Sequence, residues 1–396
     1  MNPKIVLIYI DSGGGHRAAA EALSTVIRDQ RRPWNVELVS IQDLLDSIDF
    51  IRKSTGIPFQ DVYNIMLRNG WTAGMEHIIP VMHLVIRMFH HSEVSVLERH
   101  WPRLAPDLVV SMIPHYNRAL QESLERALPG TPFVTLLTDI ADYPPHFWIE
   151  PIDQHVICGS DRAVLQAAEV GIPANRILQT SGMILHPRFY EPLELDRRAE
   201  RARLGLEPDR PTALVLFGGE GSAEMLNIAQ ALNAPETGVQ LILLCGRNDA
   251  VAQKLRAMER SIPMFVEGFT RDVPAYMEAS DFFIGKPGPG SISEALAKHL
   301  PVIVQQNAWT MAHERYNARW IEEQGVGIAV KSFSGEIREA VGRLLAPENY
   351  ERFRSRTAAM QNRAVFEIPE MLQGILDPQR NAARSGTRLV CASSPR

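Results

Sequence analysis

At 396 residues and 44.4 kDa the chain exceeds one ordinary domain and predicts two. Its 45% hydrophobic and 22% charged residues suit a soluble globular protein with a sizeable core, and a net charge of -5 gives no basis for nucleic-acid binding. Cys158, Cys245 and Cys391 are scattered without metal-ligand spacing, so reduced thiols in a cytoplasmic setting are expected, with no disulfide and no metal.

The chain opens on the apolar run "KIVLIYI", read as a first core strand and not as a signal peptide. It runs into "DSGGGHRAAAEAL" (11–23), where Gly13, Gly14 and Gly15 hand a strand over to a helix reaching about Gln30. Glycine permits a sharp turn and close approach to a ligand, and the helix start offers unpaired N–H groups. Two readings stand here: a tight βα turn with an incidental His16, or a ligand site. "VELVSI" is a short second strand, followed by a mostly helical insertion over about 42–101. Within it "HIIPVMHLVIRMFHH" (77–91) falls short of the ~18 apolar residues of a membrane span. It reads either as a buried helix or as an amphipathic helix resting in a membrane interface. "DLVVSM", "FVTLLTD" and "QHVICGS" resume the strands, and "DRAVLQAAEVG" is a helix closed by Gly171.

Charge and proline then rise over "HPRFYEPLELDRRAERARLGLEPDRP". The expected organisation is a first domain over 1–190, a linker over 191–210, a second domain over 211–375 and a disordered tail over 376–396. In the second domain "TALVLFGG", "VQLILLCG", "MFVEGF", "DFFIGK", "PVIVQ" and "VGIAV" are strands separated by helices. Continuous apolar strands alternating with helices predict a parallel sheet covered on both faces, with ligands at the carboxyl ends of the strands. "FGGEGSAEM" repeats the opening strand–glycine–helix device. "GKPGPGSISEAL" ends a strand at Lys286 and starts a helix around Ser291. The N–H groups of Gly290, Ser291 and Ile292, the Ser291 hydroxyl and the helix dipole there suit a phosphate or diphosphate, with Lys286 adding positive charge. Glu294 is either the partner of a capping box or an acceptor for ribose hydroxyls. No G-x-x-x-x-G-K-[ST] loop occurs, and the first glycine run lacks dinucleotide spacing, which disfavours a P-loop ATPase and a dehydrogenase.

Taken in order, "SGGGHRAAAEAL", "LTDIADYPPHFW", "CGRN" and "KPGPGSISEALAKHLPVIV" resemble the monogalactosyldiacylglycerol synthase and processive diacylglycerol glucosyltransferase family. That family is a branch of the GT-B glycosyltransferases of family 28 type, related to the peptidoglycan enzyme that adds N-acetylglucosamine to lipid I. The similarity spans roughly residues 4–365. It implies an α/β GT-B fold, two Rossmann-like domains facing each other across a cleft. It also implies inverting transfer of a hexose from a UDP-sugar to a lipid hydroxyl, in the first place diacylglycerol, with no metal and no cofactor. By the same resemblance His16 is the catalytic base or an acceptor positioner, and an imidazole titrates in the range that role requires. Asp139 either orients His16 or the acceptor, or caps a turn.

The donor side implied by the family comprises Gly14 and Gly15, facing the cleft, and Gly218 and Gly219 near the diphosphate. Arg247 and Asn248 fall near the nucleotide, and Phe269 at the uracil pocket. Gly288, Gly290 and Ser291 match the diphosphate loop, and Glu294 the ribose-binding acid. Glu314 and Asn317 align with Gln-Glu-x-x-Asn, a motif facing the donor sugar, but His313 stands where glutamine is usual. A second departure is that His146 and Trp148 fall further along than usual, behind Pro144 and Pro145. Residues 50–100 match the acceptor mouth, so Leu84, Ile86, Arg87 and Phe89 are expected to meet lipid. Arg52, Lys53, Arg68 and Arg87 are available to anionic headgroups. The expected location is cytoplasmic, peripheral on the inner face of the cell membrane. The competing readings are transfer to another acceptor, a UDP-N-acetylglucosamine 2-epimerase, and a nucleotide-sugar-binding protein without catalysis.

Overall fold

Strand β1 (Lys4–Tyr9) forms where the apolar run begins, and its alternate residues enter different cores: Ile5 and Leu7 on one face, Val6 and Ile8 on the other. A strand apolar on both sides can settle only between two helical layers. The computed structural model describes residues 2–11, 14–45, 90–308 and 310–377. The first sheet continues with β2 (Asn35–Ser40), β3 (Leu108–Ser111), β4 (Phe133–Leu136), β5 (His155–Cys158) and β6 (Ile177–Gln179). The second contains β7 (Thr212–Leu216), β8 (Gln240–Leu244), β9 (Met264–Glu267), β10 (Phe282–Gly285), β11 (Val302–Gln305) and β12 (Gly327–Val330). Every strand expected from the sequence is present; β6, short and only half-buried, escaped the reading.

Among the described residues each sheet has six strands, in the orders β2-β1-β3-β4-β5-β6 and β12-β11-β10-β7-β8-β9, and every pairing is parallel. Both orders reverse direction once, between β1 and β3 in the first sheet and between β7 and β10 in the second. At such a reversal the loops leaving the two strands diverge to opposite faces and open a crevice at the carboxyl ends. In the second sheet Gly285 pairs with Leu216, so β7 and β10 end level and deliver "FGGEG" and "KPGPG" side by side. The sequence's two glycine turns thus sit at the two topological switch points.

The domain boundaries shift from those expected. Residues within the supposed linker 191–210 are built into the second domain: the helix Arg197–Arg203 is tied to Asp281, which accepts from Arg201 Nη2 at 2.7 Å, Arg197 Nη2 at 2.8 Å and the Thr212 amide at 2.7 Å. Leu204 and Leu206 join the core there. Conversely the last helix, Ala364–Leu376, leaves the second domain. Its Val365, Ile368, Leu372 and Ile375 pack with Ala19, Leu23, Val26 and Ile27 of the first helix, Gly15–Asp29, and Glu367 accepts from both the amide and the hydroxyl of Ser181. An apolar stripe demands a partner surface but does not name which one.

The described part of the insertion is the helix Ile41–Leu45, a helix over 90–98 and the turn Trp101–Leu104. Residues 46–89, with Leu84, Ile86, Arg87 and Phe89, lie outside the described residues, as do 378–396. Among the described residues no helix is long and apolar enough to cross a membrane.

Candidate active site

On the first domain, β1 hands over to its helix through Gly14, which has φ +80°. A residue with a Cβ is strained there, so the glycine is a backbone requirement. A side chain built at Gly15 would meet nothing within 4 Å, and the helix start faces open space. His16 lies in the first turn. Its Nδ1 is 2.9 Å from the Thr138 hydroxyl, and its ring lies 5.7 Å from that of Trp148. Burial lowers the His16 pKa from its ordinary 6.5. The Asp139 charge and a hydrogen bond to the Met112 backbone oppose that shift, and His313 adds to it. The imidazole is therefore kept neutral near pH 7, the form able to take a proton.

Asp139 does not hydrogen-bond His16. It is buried and accepts from Trp148 Nε1 at 2.8 Å, so the indole stands between carboxylate and imidazole, and Asp139 acts on His16 through its charge. Neither of the two roles weighed for Asp139 names this arrangement. Its frame is Asp142, wholly buried, which accepts from the amides of Trp148 (2.7 Å), His146 (3.1 Å) and Ile149 (3.4 Å). Those bonds close the loop 142–149 and present Phe147 and Trp148 inward, while His146 turns out to solvent. Thr138, Asp142 and Phe147 carry no motif of their own; a buried aspartate followed by two prolines and two aromatics was the available signal.

On the second domain the turns after β7 and β8 pack back to back. The Arg247 amide donates to the Gly219 carbonyl at 2.8 Å, and a Cβ at Gly246 would stand 2.3 Å from that same oxygen. Gly218, with φ +75°, opens the first of these turns. Arg247 pairs with Glu220 at 3.1 Å and lies over the Phe269 ring, 4.6 Å from its centroid. Phe269 is 54% exposed, a flat apolar face with a cation behind it at the rim of the cleft. Asn248 accepts from the Val251 amide and caps the helix Asp249–Ala257; its side chain thus serves its own helix.

The helix after β10 starts at Pro289, earlier than expected, with Gly288 as N-cap. The Ile292 amide already donates to the Gly288 carbonyl, so the N–H groups left over are those of Gly290 and Ser291. This also decides Glu294. Ser291 sits inside the helix and cannot be the cap of a capping box. The Glu294 carboxyl accepts no hydrogen bond among the described residues and is pushed to about 7 by burial, opposed by the charge of Arg188. Arg188 comes from the crossing between domains, and its Nε is buried without a hydrogen-bond partner among the described residues. The sequence gives Arg188 no signal beyond the charge- and proline-rich run that it shares.

Lys286 and Glu314 form an ion pair at 2.9 Å beside Gly288. Burial raises the Glu314 pKa, yet Lys286 and His313 outweigh it and hold the carboxylate low. Asn317 is 0% exposed and donates from Nδ2 to the Pro287 carbonyl at 2.8 Å. Its Nδ2 thus supports the loop at Pro287, while its Oδ1 is buried without a hydrogen-bond partner among the described residues. The two lobes meet through Phe147 and His313, and through Tyr143 and Tyr316, which joins the surroundings of His16 to the segment that follows β11. Among the described residues no group of three or more His, Cys, Asp or Glu side chains is arranged to hold a metal ion.

Residues 213–366 match the family model described as the glycosyltransferase family 28 C-terminal domain. Monogalactosyldiacylglycerol synthase of Spinacia oleracea, a chloroplastic protein, is 29% identical over 93% of this chain and 72% of its own length. Among solved structures, that of UDP-GlcNAc 2-epimerase from Neisseria meningitidis bound to UDP-GlcNAc superposes with a TM-score of 0.59 at 14% identity, covering 93% of this chain and 99% of the epimerase. That of Acinetobacter baumannii MurG superposes with a TM-score of 0.58 at 16% identity, covering 94% of this chain and 99% of MurG. Two parallel-sheet lobes of this kind define the GT-B fold, and the second lobe marks a glycosyltransferase. The second domain is thus similar to the C-terminal domain of the family 28 glycosyltransferases, and the chain as a whole is similar to the monogalactosyldiacylglycerol synthases.

Proposed function

We propose that the protein moves a hexose from a UDP-sugar to the hydroxyl of a lipid acceptor, diacylglycerol first among them, with inversion at the anomeric carbon. One arrangement supports the reading: the Phe147–His313 stack joins the lobe that holds a neutral His16 to the lobe that holds a helix start with free N–H groups at Gly290 and Ser291. In the step, His16 takes the acceptor proton as the oxygen attacks the anomeric carbon. The sugar–phosphate bond breaks, and its electron pair leaves with UDP. The negative charge developing there is met by the Gly290 and Ser291 amides, the helix dipole and Lys286, without a metal. Phe269 and Arg247 offer a stacking face for the base, and Glu294 and Arg188 flank the ribose end of the pocket.

The name of the spinach relative supports a galactolipid product, and the bound UDP-GlcNAc of the Neisseria structure supports a UDP-sugar donor. The apolar stretch 77–91 and the lipid nature of that acceptor support a peripheral position on the inner face of the cell membrane. The test is to incubate UDP-glucose, UDP-galactose and UDP-N-acetylglucosamine separately with diacylglycerol vesicles and identify products by mass. A hexosyl-diacylglycerol with UDP released in equal amount is expected. Epimerised UDP-N-acetylglucosamine with no lipid product would assign the fold to the other chemistry.

A further inference from the structure

Two features set this sequence apart from the pattern it resembles: His313 in place of a glutamine, and a Pro144–Pro145 shift that displaces the aromatic residues after it. In the structure these two departures touch each other. The Phe147 ring, itself buried, lies nearly parallel to the His313 imidazole, with centroids 5.4 Å apart and planes at 12°. A glutamine has no ring face to offer, and the shifted loop supplies the partner that a ring requires. A second pair, Tyr143 and Tyr316, joins the same two segments with centroids 5.3 Å apart.

Each member of the stack is rigidly tied to the reacting group of its own lobe. Phe147 adjoins Trp148, whose indole lies against His16 and is pinned by Asp139 and Asp142. His313 adjoins Glu314, which holds Lys286, and lies one helical turn from Asn317, which holds the Pro287 carbonyl of the donor loop. A series of contacts and chain neighbours therefore runs from the imidazole to the loop at Pro287, and the Phe147–His313 face is the joint in it between the two lobes, with Tyr143–Tyr316 beside it.

We propose, building on the glycosyl-transfer reading, that Phe147 and His313 are positioning residues. Their stack fixes the separation between His16 and the donor loop at which the sugar is transferred. The Gly290 and Ser291 amides that would meet the diphosphate belong to the second lobe and make no contact with the stack, so loosening it leaves nucleotide binding intact and slows the chemical step. A displacement of the base of about 1 Å costs on the order of a hundredfold in rate.

The test compares Phe147→Ala, His313→Ala, His313→Phe, His313→Gln and the double variant Phe147→Ala/His313→Ala in the full chain. Turnover and KM come from UDP release with diacylglycerol vesicles, and UDP affinity from calorimetry; Phe147→Leu stands in should Phe147→Ala fail to fold. Each single alanine variant is expected to lose about 10- to 100-fold in kcat with unchanged UDP affinity. The double variant should lose no more than the worse single, and His313→Phe, which can still stack, should recover most of the loss. An active His313→Gln beside an inactive His313→Phe overturns the proposal, because His313 then acts by hydrogen bonding. Losses that multiply in the double variant overturn it also. A wild type that binds UDP but transfers no sugar overturns the transfer reading and the proposal with it, a result distinct from either of those.

Discussion

The two strand–glycine–helix corners look alike in sequence but are supported in different ways. At Gly290 and Ser291 the useful groups on the proposed reading are main-chain N–H donors; of the side chains beneath them Glu314 and Asn317 hold the loop in shape, and Lys286 adds its charge. At His16 the useful group is a side chain, and a distant loop must set its environment: Thr138 on one nitrogen, Trp148 on the ring face, Asp139 through its charge. On the proposed function, binding built from backbone tolerates the loss of a side chain that meets the anion, and transfer built on one imidazole does not tolerate the loss of that ring.

That contrast can be broken from either end. Removing the imidazole with His16→Ala should have the largest effect, a fall in kcat of about 10²- to 10⁴-fold, with UDP affinity by calorimetry unchanged. Asn317→Ala comes next. It leaves the buried Pro287 carbonyl without its donor, a cost of about 1–3 kcal/mol, so UDP affinity should weaken about 5- to 100-fold while the His16 environment is untouched. Ser291→Ala removes one hydroxyl but keeps every main-chain donor, and should cost about 1 kcal/mol, near fivefold in UDP affinity. A larger loss would mean that the serine side chain, not the backbone, carries the anion.

The smallest effects are in pH. Because burial lowers the His16 pKa below 6.5, activity should persist on the acid side until the imidazole protonates, with the midpoint of the kcat/KM profile below that value. Asp139 opposes the shift, so Asp139→Asn should move the midpoint lower still. His313 adds to it, so His313→Phe should move the midpoint up. Movement of either variant in the opposite direction would remove electrostatic tuning from the account.

The chain displayed its local features openly. Lys4–Tyr9 and Thr212–Leu216 are apolar runs with glycines a few residues further on, the pattern of a buried strand entering a tight turn. Long-range choices were hidden. The helix Ala364–Leu376 has an apolar stripe that would suit either domain, and only the packed structure shows it beside the first helix. The site followed the same rule. His16 and Ser291 were readable from their turns, whereas Asn317 gave its place in a motif but not the fact that its amide faces the Pro287 carbonyl. Trp148 between Asp139 and His16, and Phe147 against His313, are contacts between residues far apart in the chain, and no spacing rule encodes them.

A crystal structure of the protein with a UDP-sugar tests the central claim most directly. The account predicts the diphosphate on the Gly290 and Ser291 amides and the anomeric carbon turned toward the His16 imidazole. A diphosphate bound away from that helix start, or a sugar facing away from His16, would contradict it.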